Sequence, residues 1–195
     1  MKHRLLLGSK NSGKLNEFKF YFKHFKIFKE YDLITLSNFD NIKSPEENGK
    51  TFEENAKKKS KYFFNHTNLT TISDDSGFIV KELVHYPGIR TARVAKDLGG
   101  EQSVIDYIFS LFKNKDELQA TFYCALSLVN SNNELTCIGS VDGKIIPYKK
   151  GVNGFGYDPF FIPNKEKKTF AEMDRSKKML SSHRYTAFKN LISRI

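Results

Sequence analysis

Two short acidic segments carry side chains that could hold a metal ion. SPEENG places Glu46 and Glu47 just before a predicted helix. SDDSG places Asp74 and Asp75 at the end of a short apolar run. Glu46 with Asp75 would suit magnesium, which prefers oxygen ligands and usually takes few carboxylates, with phosphate and water in the other positions. Each segment also has a structural interpretation, because acidic residues favour helix N-termini and Asp-Ser-Gly is typical of turns.

A third polar segment, GSKNSGK at residues 8–14, has the composition of a phosphate-binding turn. Small side chains leave backbone N–H groups exposed at the start of the predicted helix, where the helix dipole favours an anion. Ser9 and Asn11 add hydrogen-bonding groups, and Lys14 adds a positive charge. An ordinary strand-to-helix turn with Asn11 or Ser12 as N-cap is the structural alternative.

The same segment has part of the spacing of a P-loop. Gly8, Gly13 and Lys14 fit that motif, but Leu15 stands where it needs a hydroxyl group for magnesium. The chain also offers no long apolar strand ending in an acidic residue, the second motif of that class. A P-loop-like NTPase, which would release orthophosphate, is the main enzymatic alternative, and both of these departures count against it.

Aromatic and basic residues follow in the C-terminal third of the chain. GVNGFGYDPFF presents Phe155, Tyr157 and Asp158 from a glycine-rich backbone. An aromatic face can stack on a nucleobase, and a carboxylate can accept hydrogen bonds from ring N–H groups. KKMLSSHRYTAF then places polar and basic groups around a helix start, and a capped basic helix is the structural alternative: Lys178, Ser182, His183 and Arg184.

Length and composition favour a cytoplasmic globular protein. The 195 residues, 39% of them hydrophobic, suffice for one domain or two closely joined lobes. Apolar runs are too short to cross a bilayer and the N-terminus lacks the features of a signal peptide, so we expect a cytoplasmic location and no membrane partner. Cys124 and Cys137 lack metal-binding or redox spacing, which favours buried thiols.

The net charge of +10 favours polyanionic partners, either nucleic acid or free nucleotide. A basic nucleic-acid-binding module is therefore the non-enzymatic alternative, and charge is its only support. The densest lysine cluster, KKKSK at residues 57–61, falls on a predicted helix and is explained by a solvated helix face. We expect no stable nucleic-acid partner.

The hydrophobic pattern predicts an α/β fold with a mixed sheet. A strand at 4–7 precedes a helix with Leu15, Phe18, Phe22 and Phe25 on one face. A second strand covers 32–36. The T-x-x-E pattern of Thr51 and Glu54 then opens a helix that runs to about residue 66.

The second half of the pattern adds a hairpin. LTTIS is predicted as a strand, DDSG as a turn and FIVKEL as a continuation, followed by a helix over 101–113. Strands at 120–130 and 134–141 form the hairpin, which GKIIPY extends. A short strand, a charged loop and a final helix beginning near Ser182 complete the chain.

In this order, the segments resemble the inosine triphosphate pyrophosphatase family, also called HAM1-like or non-canonical purine nucleotide pyrophosphatases. The resemblance covers nearly the whole chain: GSKNSGKLNEF, SPEENGKTFEENA, SDDSGFIV, PGIRTAR, GKI, GVNGFGYDPFF, KTFAEM and SSHR. That family's first turn reads T-G-N-x-x-K, so the likeness to a P-loop is coincidental. Two departures stand out, because Lys10 replaces the usual glycine and LVHYPG lacks the glycine pair common before Pro-Gly.

The resemblance implies an elongated α/β fold with a long central mixed sheet flanked by helices. It implies one domain of two lobes, with a nucleotide cleft between them, and a homodimer. The implied activity is magnesium-dependent hydrolysis of ITP, dITP and XTP to the monophosphate and pyrophosphate. A nucleoside triphosphate is the implied substrate.

The resemblance also assigns roles to residues. Asp75 is the implied general base and a magnesium ligand, and Glu46 is the other ligand. The residues implied to hold phosphates are Ser9, Asn11, Lys14, Lys59, Ser76 and Arg93. Those implied to surround the base and sugar are Phe155, Gly156, Tyr157, Asp158, Lys178, His183 and Arg184.

Overall fold

The computed structural model describes residues 3–25, 29–112 and 114–195. Within those ranges, seven strands form one sheet, flanked by six α-helices. The strands are β1 (His3–Leu7), β2 (Tyr31–Thr35), β3 (Thr70–Val80), β4 (Tyr86–Pro87), β5 (Leu118–Val129), β6 (Glu134–Ile145) and β7 (Phe161–Pro163). The helices are α1 (Ser12–His24), α2 (Phe52–Thr67), α3 (Thr91–Leu98), α4 (Glu101–Ser110), α5 (Arg175–Ser181) and α6 (His183–Ile192).

The sheet is mixed, as the sequence predicts. Its order is β2-β1-β3-β5-β6-β7, with β4 paired to β3. β1 is parallel to both β2 and β3, whereas β4 is antiparallel to β3 and β7 is antiparallel to β6. β5 and β6 are neighbours joined by only four residues, which is a hairpin because a parallel pair needs a longer crossover.

The chain divides into two compact units. The first comprises Met1–Asp75, Cys124–Gly139 and Arg184–Ile195. Here α1 and α6 pack through aromatic rings, since the centroid of Phe188 lies 5.4 Å from that of Phe18 and 5.2 Å from that of Tyr21. The predicted face of α1 is partly right: Phe18 and Phe22 are buried, but Tyr21 and Glu17 join them instead of Leu15 and Phe25.

The second unit comprises Ser76–Tyr123 and Ser140–His183. Its core gathers apolar residues from α3, α4 and four strands around Phe122 and Phe161, whose ring centroids are 4.4 Å apart. Phe78 and Phe170 are fully buried in the same core. The predicted helix over 101–113 is α4, which ends at Ser110. α3 and α5 were not predicted from the sequence.

The prediction that DDSG forms a turn is wrong. Residues 70–80 form one continuous strand, β3, which includes Asp74 and Asp75. Backbone pairing holds it extended on both sides of the acidic pair: Ile72 is in register with Leu7 of β1, and Ile79 with Pro87 of β4. Asp74 and Asp75 therefore point to opposite faces of the sheet, as successive strand residues do.

The segment before Pro87, where the family glycine pair is missing, has a left-handed backbone. Val84 has φ of 40° and His85 has φ of 70°. This region favours glycine, and a β-branched residue such as Val84 is unusual there. Val84 is also 82% exposed. The chain thus keeps a backbone conformation suited to glycine without having glycine.

None of the helices in the described ranges has the length and apolar character needed to span a bilayer. The single-domain organisation and the nucleotide cleft stay predictions.

Candidate active site

The turn between β1 and α1 is ordered by short polar side chains. Asn11 is the N-cap of α1, and its Oδ1 accepts a hydrogen bond from the backbone N–H of Lys14 at 3.0 Å. Ser9 Oγ accepts one from the N–H of Asn11 at 3.3 Å. A Cβ on Gly8 would lie 2.2 Å from Ser73 Oγ, so this close approach of the turn to β3 requires glycine. Of the two N-cap candidates that the sequence offers, Asn11 and Ser12, Asn11 is the N-cap.

Asp74 lies beside two cations. Its side chain is fully buried, and Oδ2 lies 2.9 Å from Lys14 Nζ and 3.3 Å from Arg184 Nε. Burial favours the protonated acid, but Lys14 and Arg184 together outweigh it and hold the pKa of Asp74 well below its usual range. Asp74 is therefore an anion that fixes the position of Lys14.

Arg184 connects this anion to a second buried carboxylate. Its Nη1 donates to Glu17 Oε2 at 2.7 Å, and both residues are at least 95% buried. Burial opposes the charged guanidinium, yet Glu17 and Asp74 raise the pKa of Arg184 above its ordinary value. The result is a continuous series of ion pairs, which we call the Asp74 network: Glu17, Arg184, Asp74 and Lys14.

Asp75 lies on the other face of β3 and has different partners. Its Oδ2 accepts a hydrogen bond from Asn55 Nδ2 at 2.9 Å, and its Oδ1 lies 3.7 Å from Lys59 Nζ. Burial raises the pKa of Asp75, while Lys59 and Lys14 act in the opposite direction without cancelling that effect. Asp75 is thus more basic than Asp74, which suits a residue that accepts a proton.

Helix α2 supplies both of these partners. Thr51 is its N-cap and accepts from the Glu54 N–H at 3.1 Å, which confirms the predicted helix start. Glu54 Oε2 accepts from the N–H of Lys50 at 2.6 Å and thereby orders the preceding loop. Asn55 and Lys59 are four residues apart, one helical turn, and both are buried on the face that meets Asp75.

The acidic loop before α2 reaches the same place through Glu47. Lys59 Nζ lies 2.5 Å from Glu47 Oε1, so one ammonium group contacts the carboxylates of both Glu47 and Asp75. Glu46 is exposed and lies near Asn48, with 3.5 Å between Glu46 Oε2 and Asn48 Nδ2. A positive charge is therefore already accommodated between two carboxylates at this site.

The donor chemistry here fits magnesium. The carboxylate oxygens of Asp75, Glu46 and Glu47 are hard ligands of the kind that this ion takes. The described residues contain no group of three or more His, Cys, Asp or Glu side chains gathered as a metal site. Magnesium usually takes few carboxylates and completes its coordination with phosphate and water.

A second cluster of predicted residues lies in the second unit. Asp158 Oδ2 accepts from the N–H of Phe155 at 2.8 Å and lies 3.0 Å from Lys178 Nζ. The same ammonium lies over the ring of Phe155, 5.0 Å from its centroid, and over Phe170 at 5.9 Å. Asp158 and Lys178 are both buried. Asp158 therefore fixes the aromatic loop and its lysine together.

The neighbouring predicted residues are more scattered. His183 stacks on Phe122, with ring centroids 4.8 Å apart and planes 8° from parallel. Tyr157 packs on Phe78 at 4.3 Å, and burial raises the pKa of its hydroxyl. The remaining predicted positions are half-buried or exposed: Ser76 in β3, Gly156 with φ of 59°, and Arg93 on α3. The substrate-binding roles of all these residues stay predictions.

Sequence reasoning missed two buried polar residues. Glu17 lies one helical turn before Tyr21 on the buried face of α1, and a carboxylate on such a face signals a buried cation. Asn55 directly follows Glu54 in the first turn of α2, at a position where its full burial was not predictable from the local pattern. Glu17 pairs with Arg184 and Asn55 with Asp75, both beyond the reach of the local pattern.

The comparisons with known proteins agree with this fold and these motifs. The model of the Ham1 family matches residues 5–194. A dITP/XTP pyrophosphatase from Oceanobacillus iheyensis is 36% identical over 192 residues, covering 96% of this chain and 95% of that protein. A dITP/XTP pyrophosphatase from Staphylococcus aureus is 37% identical over 188 residues, covering 96% of this chain and 93% of that protein.

Solved structures give the same result. The Staphylococcus aureus Ham1 protein has a TM-score of 0.83 at 36% identity, covering 98% of this chain and 97% of that one. A HAM1 protein from Coxiella burnetii has a TM-score of 0.81 at 30% identity, with 98% of each chain covered. The chain belongs to the Ham1 family, which confirms the family and the mixed α/β fold predicted from the sequence.

Proposed function

We propose that this protein hydrolyses the non-canonical purine nucleoside triphosphates ITP, dITP and XTP to the monophosphate and pyrophosphate, and so removes them from the nucleotide pool. The observation that carries the proposal is the full-length match to relatives named dITP/XTP pyrophosphatase. The Asp75 site adds chemical support, because it combines a basic carboxylate with a lysine and further acidic groups.

Asp75 is the proposed general base. Its Oδ2 is held by Asn55, and its Oδ1, on the Lys59 side, is the proposed acceptor of a proton from the attacking water. The positive charges of Lys14 and Lys59 oppose the negative charge that builds on the phosphates and the pyrophosphate leaving group. The N-terminus of α1, with Ser9 and Asn11, offers further donors to a phosphate.

Magnesium is the proposed cofactor, with Asp75 and Glu46 as its ligands and Glu47 as a further candidate. A bound magnesium ion would neutralise phosphate charge and make a coordinated water more acidic. Removing divalent ions with a chelator should abolish pyrophosphate release, and added magnesium should restore it. Full activity in the presence of excess chelator would contradict this part of the proposal.

Base selection is proposed to rest on hydrogen-bond polarity. Inosine and xanthosine carry a keto acceptor at C6, whereas adenosine carries an amino donor there, so a guanidinium such as that of Arg184 favours the first two. Asp158 could accept from the N1–H of a keto purine. Phe155 would stack on any purine, and ATP should be a poor substrate.

The proposal includes a homodimer in the cytoplasm. Sedimentation equilibrium tests the dimer, and a purely monomeric species at high concentration would contradict it. The positive charge is assigned to nucleotide binding, so a stable, salt-sensitive complex with DNA or RNA would favour the nucleic-acid-binding alternative.

Product identification tests the reaction itself. Incubation with dITP and magnesium should give dIMP and pyrophosphate in equal amounts, resolved by ion-exchange chromatography. dATP in a parallel reaction is the matched control and should be consumed far more slowly. Formation of dIDP and orthophosphate would place the protein with the P-loop-like class instead.

A further inference from the structure

Asn55 makes two hydrogen bonds that join the acidic loop to Asp75. Its Oδ1 accepts from the N–H of Gly49 at 2.8 Å, and its Nδ2 donates to Asp75 Oδ2 at 2.9 Å. Because a backbone N–H can only donate, the amide oxygen must face Gly49 and the NH2 group must face the carboxylate. Asn55 is fully buried, so its bond to Asp75 is made where water does not compete, while the bond to Gly49 is partly buried.

The backbone at Gly49 lies very close to this amide. A Cβ at Gly49 would lie 2.7 Å from Asn55 Oδ1 and 2.9 Å from Glu54 Cβ. Any other residue would therefore push the amide away from its place beside Asp75. Gly49 also follows Glu46 and Glu47 by only a few positions, so the Gly49–Asn55 bond ties their loop to the start of α2.

We propose that Asn55 is a positioning residue for the hydrolytic reaction: it orients the Asp75 carboxylate and holds the acidic loop 44–50 in register with it. The inference rests on the proposed function. Asn55 acts through Asp75, because the NH2 end of its buried amide binds the Asp75 carboxylate while the oxygen end binds Gly49. It holds Asp75 Oδ2 at 2.9 Å, while Asp75 Oδ1 lies 3.7 Å from Lys59 Nζ.

The position of Asn55 predicts an effect on turnover more than on substrate affinity. Asn55→Ala should lower kcat for dITP about 30- to 100-fold, since small misplacements of a catalytic group cost about that much, and should change KM by less than about threefold. Ser60→Ala is the matched control. Ser60 is equally buried on α2, but its hydroxyl bonds Ser127 and the carbonyl of Lys57. The kcat of the Ser60→Ala variant per folded molecule should stay within about twofold of wild type.

A double-mutant cycle tests whether Gly49 and Asn55 act together. Gly49→Ala alone should lower kcat by displacing the amide, but should have little further effect in Asn55→Ala, where the amide is gone. If the loss of kcat in the double variant equals the product of the two single losses, the coupling between Gly49 and Asn55 is overturned. Equal kcat losses per folded molecule in Asn55→Ala and Ser60→Ala would overturn the positioning role. If Asn55→Ala fails to fold, the kcat of Gly49→Ala is compared with that of Ser60→Ala instead. Equal losses per folded molecule in these two variants would then overturn the positioning role.

Amide hydrogen exchange provides a readout without substrate. The N–H of Gly49 should exchange at least about tenfold faster in Asn55→Ala than in wild type or Ser60→Ala, because its acceptor is lost. An unchanged exchange rate of the Gly49 N–H in Asn55→Ala would contradict the role of Asn55 in holding the acidic loop. Wild-type protein that releases no pyrophosphate from dITP would defeat the proposed function, while the exchange experiment would still report on the Asn55 bond.

Discussion

Asp74 and Asp75 are neighbours in β3, yet the regions around them are built differently. Asp74 is an anion locked between Lys14 and Arg184, with its pKa lowered by those charges. Asp75 is held by a neutral amide and one more distant lysine, and burial raises its pKa. The contrast fits two proposed tasks: the first region would fix positions, and the second would keep a carboxylate able to accept a proton.

Replacing Asp75 should have the largest effect on activity. Asp75→Asn should lower kcat for dITP by at least about two orders of magnitude, because the neutral amide cannot act as a base. Circular dichroism should show an intact fold, since the substitution adds no buried charge. Asp97→Asn, at an exposed position on α3, is the control and should turn over normally. Near-normal turnover of Asp75→Asn would remove Asp75 from the mechanism.

Breaking the Asp74 network should mainly cost stability. Arg184→Ala leaves Glu17 and Asp74 buried beside each other without their shared cation, which costs about 3–5 kcal/mol in the free energy of unfolding. Arg175→Ala, at an exposed position on α5, is the control and should unfold like wild type. Denaturant unfolding followed by circular dichroism measures the difference.

The same variant tests base reading. If Arg184 contacts the C6 keto group, Arg184→Ala loses far more kcat/KM for ITP than for ATP, and the ratio between them narrows. An equal loss on both substrates would assign Arg184 to the Asp74 network alone.

Lys59 offers a smaller, pH-dependent test of the Asp75 region. Its charge lowers the pKa of Asp75, so Lys59→Met should raise that pKa further and move the acidic limb of the kcat/KM profile to higher pH. Activity at pH 7 should fall about tenfold, with partial recovery in more alkaline buffer. Lys61→Met, a more exposed lysine on the same helix, should leave the profile in place. An unmoved acidic limb in Lys59→Met would contradict the assignment of the base.

The two aspartates should also give opposite, modest pH effects on stability. Ionised Asp74 stabilises the folded state above its ordinary pKa of about 3.9, and this contribution is lost only as the pH falls towards the lowered folded value. Asp75, with a raised folded pKa, stabilises the fold below about pH 4 and loses that contribution as the pH rises. Thermal melts of Asp74→Asn and Asp75→Asn against wild type from pH 4 to 8 measure both.

In those melts, the difference between wild type and Asp74→Asn should stay constant over this range. The difference between wild type and Asp75→Asn should shift in favour of wild type as the pH falls. If the stability differences of both variants from wild type change with pH in the same way, the surroundings of Asp74 and Asp75 do not differ in the way described.

Most strands and helices were predictable because their apolar residues repeat with the right period. β1, α1, α2 and the hairpin of β5 and β6 follow that rule. β3 does not, since polar residues in its middle looked like a turn, and only pairing with β1 and β4 keeps them extended. The buried contact between Ser127 of β5 and Ser60 of α2 is likewise set by packing rather than by the local pattern.

The candidate site was predictable as a set of residue types rather than as a set of contacts. Sequence motifs identify Asp75, Lys14 and Arg184 as site residues. No local pattern predicts that Arg184 pairs with Glu17, 167 positions away. Such ion pairs depend on how α1, β3 and α6 pack in three dimensions. That the loop turns Glu47 towards Lys59 is likewise a result of packing that no local pattern predicts.

The most direct test compares Asp74→Asn and Asp75→Asn in one assay of pyrophosphate release from saturating dITP, scaled to the folded fraction of each protein. Asp75→Asn should lose at least about a hundredfold in kcat without a lower melting temperature, whereas Asp74→Asn should melt earlier and keep kcat within about tenfold of wild type. Equal losses of turnover in the two variants, or a larger loss in Asp74→Asn, would contradict the division of tasks between the two carboxylates.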